Sequence, residues 1–453
     1  MITISQHKHK IQFLKRVYDV RKHGEFATDK KTTNLFRSRK RKHTVKLPLR
    51  DFNQVISIDK TNKSALVEGM TTYETLVDET LKQGFMPAVV PQLRSITLGG
   101  AVTGIGIESS SWKYGFPHET VEEIEIFTGS GEVISARPDN ENKDLFFGFP
   151  NSYGSLGYAL SLQIKLIPVK PFVHLQYLKF NNTKELFLAF KTICNTGKYN
   201  NKNIDFIDGV MYGKNDYVIC IGTMVATAPF VSDYTYDKIF YKSIIERDED
   251  YLTIKDYIWR WDTDWFWCSK NLKAQHPIIR RLYGKKRLRS DYYMKLFAME
   301  TKYGLVRRID KVARRPEREM VIQDVEIPLE NCEKFVSFYQ KNINILPVWM
   351  CPAHQMNAKV DWKLYRMDPN KLYINFGFWD SVKARKTDPS YHNKLIEDEV
   401  RLLKGKKSLY SDSFYDKATF WKLYNRADYD ILKLRYDPES RLKDLYEKTV
   451  KKG

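Results

Sequence analysis

Between Pro91 and Gly115 the chain reads PQLRSITLGGAVTGIGIESSSWKYG. Gly99, Gly100, Gly104, Gly106 and Gly115 stand among the hydroxyls of Ser95, Thr97, Thr103, Ser109, Ser110 and Ser111, with Glu108 in their midst. Glycine has no Cβ, so a backbone rich in it can come very close to a ligand. Its successive N–H groups can form a cradle for an anion such as a pyrophosphate. Hydroxyls and a carboxylate add donors and acceptors for a polar cofactor. On spacing alone a plainer reading stays open, a glycine-rich loop that only turns the chain.

The surrounding elements must hold that segment in place. From Lys46 the pattern reads strand, turn, strand, with Asp59 to Asn62 as the turn. Thr71 or Thr72 then opens a helix that buries Leu76, Val77 and Leu81 and stops near Gly84. After the glycine segment, EEIEIFTGSGEVISA predicts a hairpin around Ser130-Gly131. Residues 144–149 predict a short helix, and GSLGYALSLQIKLIPV a closing strand. Pro168 and Pro171 mark a boundary. Beyond it, HLQYLKF, TKELFLAFKTICN, the hairpin DFIDGVMYGKNDYVICIGTMV, MVIQDVEIPL, ENCEKFVSFYQKN and KLYINFGFWD alternate strand and helix patterns. They predict an α+β unit with an antiparallel sheet, and the tail from SLYSDSF onward reads as helical.

Composition bounds the function. A chain of 453 residues has room for two domains. There is no run of 18 apolar residues, so no transmembrane helix is expected, and the basic start MITISQHKHKIQFLKRVYDVRKHG lacks the apolar core of a secretory signal. Five scattered cysteines suit free thiols in a reducing, cytoplasmic setting, and no ligand spacing points to a metal. A net charge of +20 admits nucleic acid, an anionic membrane surface or phosphorylated small molecules as partners. No nucleic-acid-binding signature accompanies it, so a nucleic acid is not expected. Peripheral attachment to an anionic membrane is. Trp259, Trp261, Trp265, Phe266 and Trp267 are too many for one exposed loop unless they are buried in core or in lipid.

The wording of several segments goes further. PQLRSITLGG, GIGIESSSWKYG, DLFFGFPNSYGSLGYAL and IKLIPVKPFVHL resemble the 24-dehydrocholesterol reductase (Diminuto-type) family of flavoproteins. So do FIDGVMYGKNDYVICIGTM, VIQDVEIPL, NILPVWMCP and SLYSDSFYDKATFWKLY. The resemblance spans roughly residues 45–430. It implies a two-domain α+β fold of the vanillyl-alcohol-oxidase-like, PCMH-type FAD-binding class. The expected division is an FAD-binding domain over 1–171, a substrate (cap) domain over 172–405, and a helical return to the FAD domain over 406–453. It also implies non-covalent FAD bound by Ser95, Ile96, Thr97, Gly99, Gly100, Thr103, Gly104, Gly106, Glu108, Ser109, Ser110, Tyr114 and Gly115, with Gly154 and Gly157 as a second glycine step. Close strand packing is the alternative for that step. One departure stands out. Where the superfamily carries an early glycine-rich pyrophosphate loop, this chain reads TTNLFRSRKRKHTVKL. Arg37, Arg39 and Lys40 could meet the diphosphate by charge instead, or the run is a solvated basic face.

The activity implied is reduction of an isolated C=C bond in a lipid, the Δ24 bond of a sterol side chain, with NADPH reducing the flavin. Such an alkene is not polarised, so a neutral acid in an apolar pocket must deliver a proton with or before the hydride. Burial keeps a carboxyl protonated. Glu108, Asp324 and Tyr373 are the candidates. Their plain alternatives are backbone bonding for Glu108, a strand-edge charge for Asp324 and core packing for Tyr373. Three other functions stay open: a reductase of a methylene or unsaturated fatty-acyl chain, an FAD-linked alcohol or sugar oxidase, and a non-catalytic lipid-binding flavoprotein.

Overall fold

A computed structural model describes residues 1–20, 24–30, 34–37 and 44–450. Arg37 is among them; Arg39 and Lys40 lie outside the described residues. Two antiparallel sheets organise the chain. The first runs Val55–Asp59, Ser64–Glu68, Tyr158–Pro168, Val121–Phe127, Val133–Ala136 in spatial order, and Phe85–Pro87 also pairs with Tyr158–Pro168. Its turns follow from local chemistry. Asp59 Oδ1 accepts the N–H groups of Thr61 and Asn62 at 2.9 and 3.0 Å, closing the first hairpin as an Asx turn. Thr72, not Thr71, caps the helix Tyr73–Leu81, its hydroxyl accepting from Thr75 N. The helix Leu98–Gly104 then lies across the sheet. It can lie that close because a Cβ on Gly99 would sit 2.8 Å from Gly69 O and 3.2 Å from Ala159 Cβ.

The second sheet has eight strands, in the order Glu249–Thr253, Phe172–Phe180, Asp216–Val225, Phe206–Gly213, Val348–Ala353, Tyr373–Lys383, Arg318–Pro328, Lys406–Lys407. The period of two along each strand gives the sheet two faces. One face, with Ile207, Met211, Met350, Phe376, Phe378, Val321 and Val325, packs under the helices Thr183–Thr196, Cys332–Asn342 and Tyr391–Leu402. Residues of the other parity, Val210, Trp349, Cys351, Trp379 and Ile322, join the core of the first sheet. Asp208, Asn375, Asp324 and Glu326 share that inner parity, so polar groups face the glycine segment.

The sequence leaves two features open or unread. The basic N-terminus forms a helix, Ile4–Val20, that the sequence did not announce, because only a sparse stripe of it is apolar. Leu14 and Tyr18 pack there against Phe26, Leu47, Phe52 and Phe127. His7 ties the helix down, with Nδ1 at 2.8 Å from Glu68 and Nε2 at 2.8 Å from Glu125. The aromatic run 259–267 is core, not a membrane anchor: Trp259, Trp261, Trp265, Phe266 and Trp267 are all buried. They are held by an unusual turn in which three consecutive residues, Asp264, Trp265 and Phe266, have φ of 64°, 43° and 58°. Such strain persists only where its surroundings enforce it. Here Arg280 grips both oxygens of Asp264, at 2.6 and 2.8 Å. The turn stacks Trp265 on Phe36, ring centres 5.3 Å apart, and sets Phe266 4.4 Å from Trp379.

Candidate active site

Five separate segments meet beside the end of the glycine helix. Gly104 O accepts from Tyr153 Oη at 2.9 Å, and Thr103 O accepts from Tyr153 N at 3.2 Å. A Cβ on Gly104 would rest 3.4 Å from the Tyr153 ring, and the Arg37 guanidinium lies 4.7 Å over that ring's centre. Phe36 joins the C-terminal return through backbone bonds to Tyr410 and Asp412. Tyr410 in turn accepts from Trp379 Nε1 at 2.9 Å and is hydrogen-bonded to Asp324. Thr103, Gly104, Tyr153, Arg37, Asp324 and Tyr410 are each partly open, in surroundings that are otherwise buried. Strained backbone borders the junction on two sides: Ile105, Asn151 and Tyr153 all have positive φ.

Asp324 brings a carboxyl to this junction. Asn375 Nδ2 donates to its Oδ1 at 3.1 Å. Burial pushes its carboxyl up to about 6, against the pull of the bonds from Asn375 and Tyr410. Gly377, directly across the strand pair, leaves room for it; a Cβ there would sit 2.3 Å from Asp324 Oδ1. Glu326, two residues on and so on the same face, is raised well above the usual range, by burial first and then by the Asp324 charge. One Glu326 oxygen accepts from the Tyr365 hydroxyl, and the other is buried without a protein partner.

Glu108 sits in a different cluster, on the same inner face of the second sheet. Arg260, fully buried, donates to Glu108 Oε1 at 2.8 Å and to Asp208 Oδ2 at 2.7 Å. Asp208 also accepts from the indoles of Trp261 and Trp349 at 3.0 and 3.1 Å. Two carboxylates thus share one guanidinium, and burial pushes Glu108 up from its ordinary value. Its Oε2 has no protein partner. The neighbouring serines are engaged within the chain. Ser109 Oγ meets Tyr257 Oη at 2.8 Å, Ser110 Oγ donates to Ala88 O at 2.8 Å, and Ser111 Oγ accepts from Glu108 N at 3.1 Å. The cluster therefore staples the glycine segment to the second sheet.

The other expected residues fall as follows. Ser95 Oγ donates to Asn34 at 3.1 Å, and Lys30 Nζ donates to Thr97 Oγ1 at 2.9 Å, so a cation stands at the start of the glycine helix. Ile96 O accepts from Tyr73 N. The Gly100 Cβ position is 2.8 Å from Thr97 Oγ1 and 3.5 Å from Lys30 Nζ. Gly106 abuts Pro91 and Pro117, and Gly115, with φ of 73°, makes room for Glu119. Tyr114 stacks under Lys113. A Cβ on Gly157 would strike Ile126 and Phe127, and one on Gly154 would meet Tyr158. Both contacts are close strand packing. Tyr373 is core, its hydroxyl accepting from Asp368 N at 3.0 Å. His118 is buried against Phe116 and Trp362, and burial lowers it to about 3, so it is a neutral ring. A hollow of about 470 Å³ lined by Thr75, Asp78, Glu79, Leu81, Lys82 and Lys255 includes none of the glycine segment.

A diphosphate-linked flavin suits these residues. Lys30 and Thr97 offer a cation and a hydroxyl at the glycine helix, Gly100 and Gly104 leave bare backbone, and buried Ser152 Oγ and Asn151 Oδ1 have no protein partner beside Tyr153. Sequence reasoning missed Lys30, Tyr153, Arg260, Asp208, Glu326 and Tyr410. Only Glu326 was readable, from the alternation of VIQDVEIPL.

Comparison with known proteins agrees. An FAD binding domain family matches residues 26–137. The chain is 24% identical over 425 residues to a human Delta(24)-sterol reductase, covering 91% of this chain and 79% of the relative. It is 24% identical over 445 residues to the Delta(24)-sterol reductase of Arabidopsis thaliana, covering 91% and 78%. Similarity to cytokinin dehydrogenase 9 of rice, 27% identical, extends over only 30% of the chain. The chain is an FAD-dependent oxidoreductase with a PCMH-type FAD binding domain, homologous to the Delta(24)-sterol reductases over nine-tenths of its length.

Proposed function

We propose that the protein reduces an isolated C=C bond in a lipid, the Δ24 bond of a sterol side chain, with NADPH as the electron source. The observation that carries this reading is Asp324: a carboxyl with its proton affinity raised to about 6, set among Trp379, Tyr410 and Tyr153 at the junction with the glycine helix. Bound FAD, once reduced, supplies the hydride. Lys30, Thr97, Gly100, Thr103 and Gly104 hold the cofactor. Asp324 holds the proton at a carboxyl oxygen, with Asn375 fixing Oδ1 and Tyr410 bonded to the group. Trp379, Phe266, Trp265 and Phe36 exclude water and offer aromatic faces to positive charge developing on the tertiary carbon. Similarity to sterol reductases extending well beyond the FAD binding domain supports the substrate class.

Anaerobic incubation with NADPH and a Δ24-unsaturated sterol, followed by mass analysis, should show a gain of two hydrogens. In deuterated solvent one deuterium should appear at the carbon protonated by Asp324, and Asp324→Asn should lose turnover while remaining yellow. If sterols stay unreduced while a methylene acyl lipid is consumed, the acyl-chain reading replaces this one. Oxygen-dependent turnover of an alcohol would make it an oxidase.

A further inference from the structure

Residues 277–315 lead from the aromatic turn to the strand that carries Asp324. They fold as three successive helices, Pro277–Tyr283, Ser290–Tyr303 and Leu305–Val312, with a short 3-10 turn at Lys285–Leu288. These 39 residues contain thirteen Lys and Arg against three Asp and Glu, a net +10 that is half the charge of the whole chain. They are also where apolar side chains stand out into solvent. Of the twenty large hydrophobic residues exposed among the described residues, six lie here: Ile278, Leu282, Met299, Tyr303, Ile309 and Val312. Leu282 is 75% exposed and Val312 87%. Within each helix the two are three or four residues apart and so share one stripe. Arg281, Lys285, Lys286, Arg287, Arg308 and Lys311 are exposed beside them.

We propose that this segment is the surface by which the protein docks on an anionic lipid bilayer. Basic residues draw it to the headgroups, and the apolar stripes enter the boundary with the acyl chains. A nucleic acid would answer the charge but leave six hydrophobic side chains without a partner. A second copy of the chain would bring +10 against +10. The location is also informative. Phe297 of the middle helix meets Phe36 edge-on at 5.0 Å, and Tyr293 lies 6.2 Å from Trp265, so the basic helices pack directly on the aromatic wall of the candidate site. A surface docked this way sets that wall beside the bilayer. No described helix is long and apolar enough to cross a membrane, so docking here is interfacial. The proposal stands apart from the choice of substrate.

The test is flotation of the FAD-loaded full chain with vesicles of phosphatidylcholine alone, or with about 30% phosphatidylglycerol, at low and high salt. The wild type should float with the anionic vesicles and lose binding as salt rises. Lys285→Glu/Lys286→Glu/Arg287→Glu should bind at least about a hundredfold more weakly. Leu282→Asn/Ile309→Asn/Val312→Asn keeps the charge and should bind several-fold more weakly. All these positions are exposed, and unchanged flavin content confirms that each variant is folded. Turnover of detergent-dispersed substrate should be unaffected, which separates docking from catalysis. The proposal fails if the wild type shows no lipid-dependent flotation, if either triple variant floats like the wild type, or if a single-stranded polynucleotide binds more tightly than the vesicles.

Discussion

Asp324→Asn should make the protein more stable and less active at the same time. The carboxyl is raised from 3.8 to about 6 on folding, chiefly by burial. Each pK unit corresponds to about 1.36 kcal/mol, so holding this group ionised in the native state costs about 3 kcal/mol. The side chain is half-buried, and solvent screening reduces the figure to about 1–2 kcal/mol. The sign follows from proton counts. Between about pH 4 and pH 6 the folded state holds a proton that the unfolded state has released, so stability falls as pH rises through that window. An amide carries no charge at any pH, and its oxygen can still accept from Asn375 Nδ2. Asp324→Asn should therefore match the wild type below pH 4 and exceed it above pH 6. Urea unfolding at pH 4.5 and pH 8, followed by tryptophan fluorescence, gives the comparison. Proton delivery is lost with the carboxyl, so turnover should fall by about 10²–10⁴. Wild-type turnover should itself decline as pH rises through about 6. A variant less stable than the wild type at pH 8, or one that retains full turnover, would refute the assignment of Asp324 as a buried acid.

Three further outcomes follow from the packing. Arg260→Met leaves Glu108 and Asp208 buried without their cation, and should cost about 3–5 kcal/mol at pH 8 and less at pH 5, read by the same denaturant titrations. Gly377→Ala must displace both the Asp324 carboxylate and the Trp379 ring, because the added Cβ would fall 2.3 and 2.7 Å from them; turnover should drop while flavin content stays intact. His7 is raised to about 9: burial pulls it down, and the bonds to Glu125 and Glu68 outweigh that pull. Its stabilising effect is present below about pH 6.5 and lost as pH rises through about 9, so the protection of amides in the helix Ile4–Val20, taken relative to their intrinsic exchange rates, should fall in that range, and His7→Gln should abolish that fall.

What could be read in advance was local and periodic. The Thr72 cap, the Asp59 turn, the 130–131 hairpin and the strand VIQDVEIPL each declare themselves within a dozen residues, and the structure has all of them. The N-terminal helix did not, since its stability comes from Leu14 and His7 meeting residues far along the chain. Arg260 was hidden for the same reason: in WRWDTDWFW it looks like one more polar residue, and only folding brings it to Glu108, 152 residues earlier. The aromatic run was ambiguous by nature, because five large rings in nine residues satisfy a core and a bilayer equally well on composition. Burial decides it, and moves the question of lipid contact to 277–315, where six large apolar residues are spread more thinly but exposed.

On the proposed reading, the two inner-face clusters differ in what their partners offer a proton: Glu108 shares a cation with Asp208, and Asp324 has uncharged partners. Glu108 and Asp208 share a guanidinium that cannot give up its proton, and the remaining donors to Asp208 are the indoles of Trp261 and Trp349, which are fixed in place. A group bound so firmly to a permanent cation gains nothing by cycling between charge states. Asp324 has only uncharged partners, an amide and a phenol, and the carboxyl of Glu326 nearby adds further reason to keep a proton in the cluster. It lies on a sheet strand rather than a loop, with Gly377 clearing the space beside it, so its position is set by the ladder from Arg318 to Pro328. Tyr410 arrives from the C-terminal return and Tyr153 from the glycine-rich turn of the first sheet, and each is partly open where the carboxyl is. The proton-holding group is thus completed only when the first sheet, the second sheet and the tail are all in place. A fragment ending before Ser408 would keep Asp324 and Asn375 but lack the Tyr410 hydroxyl.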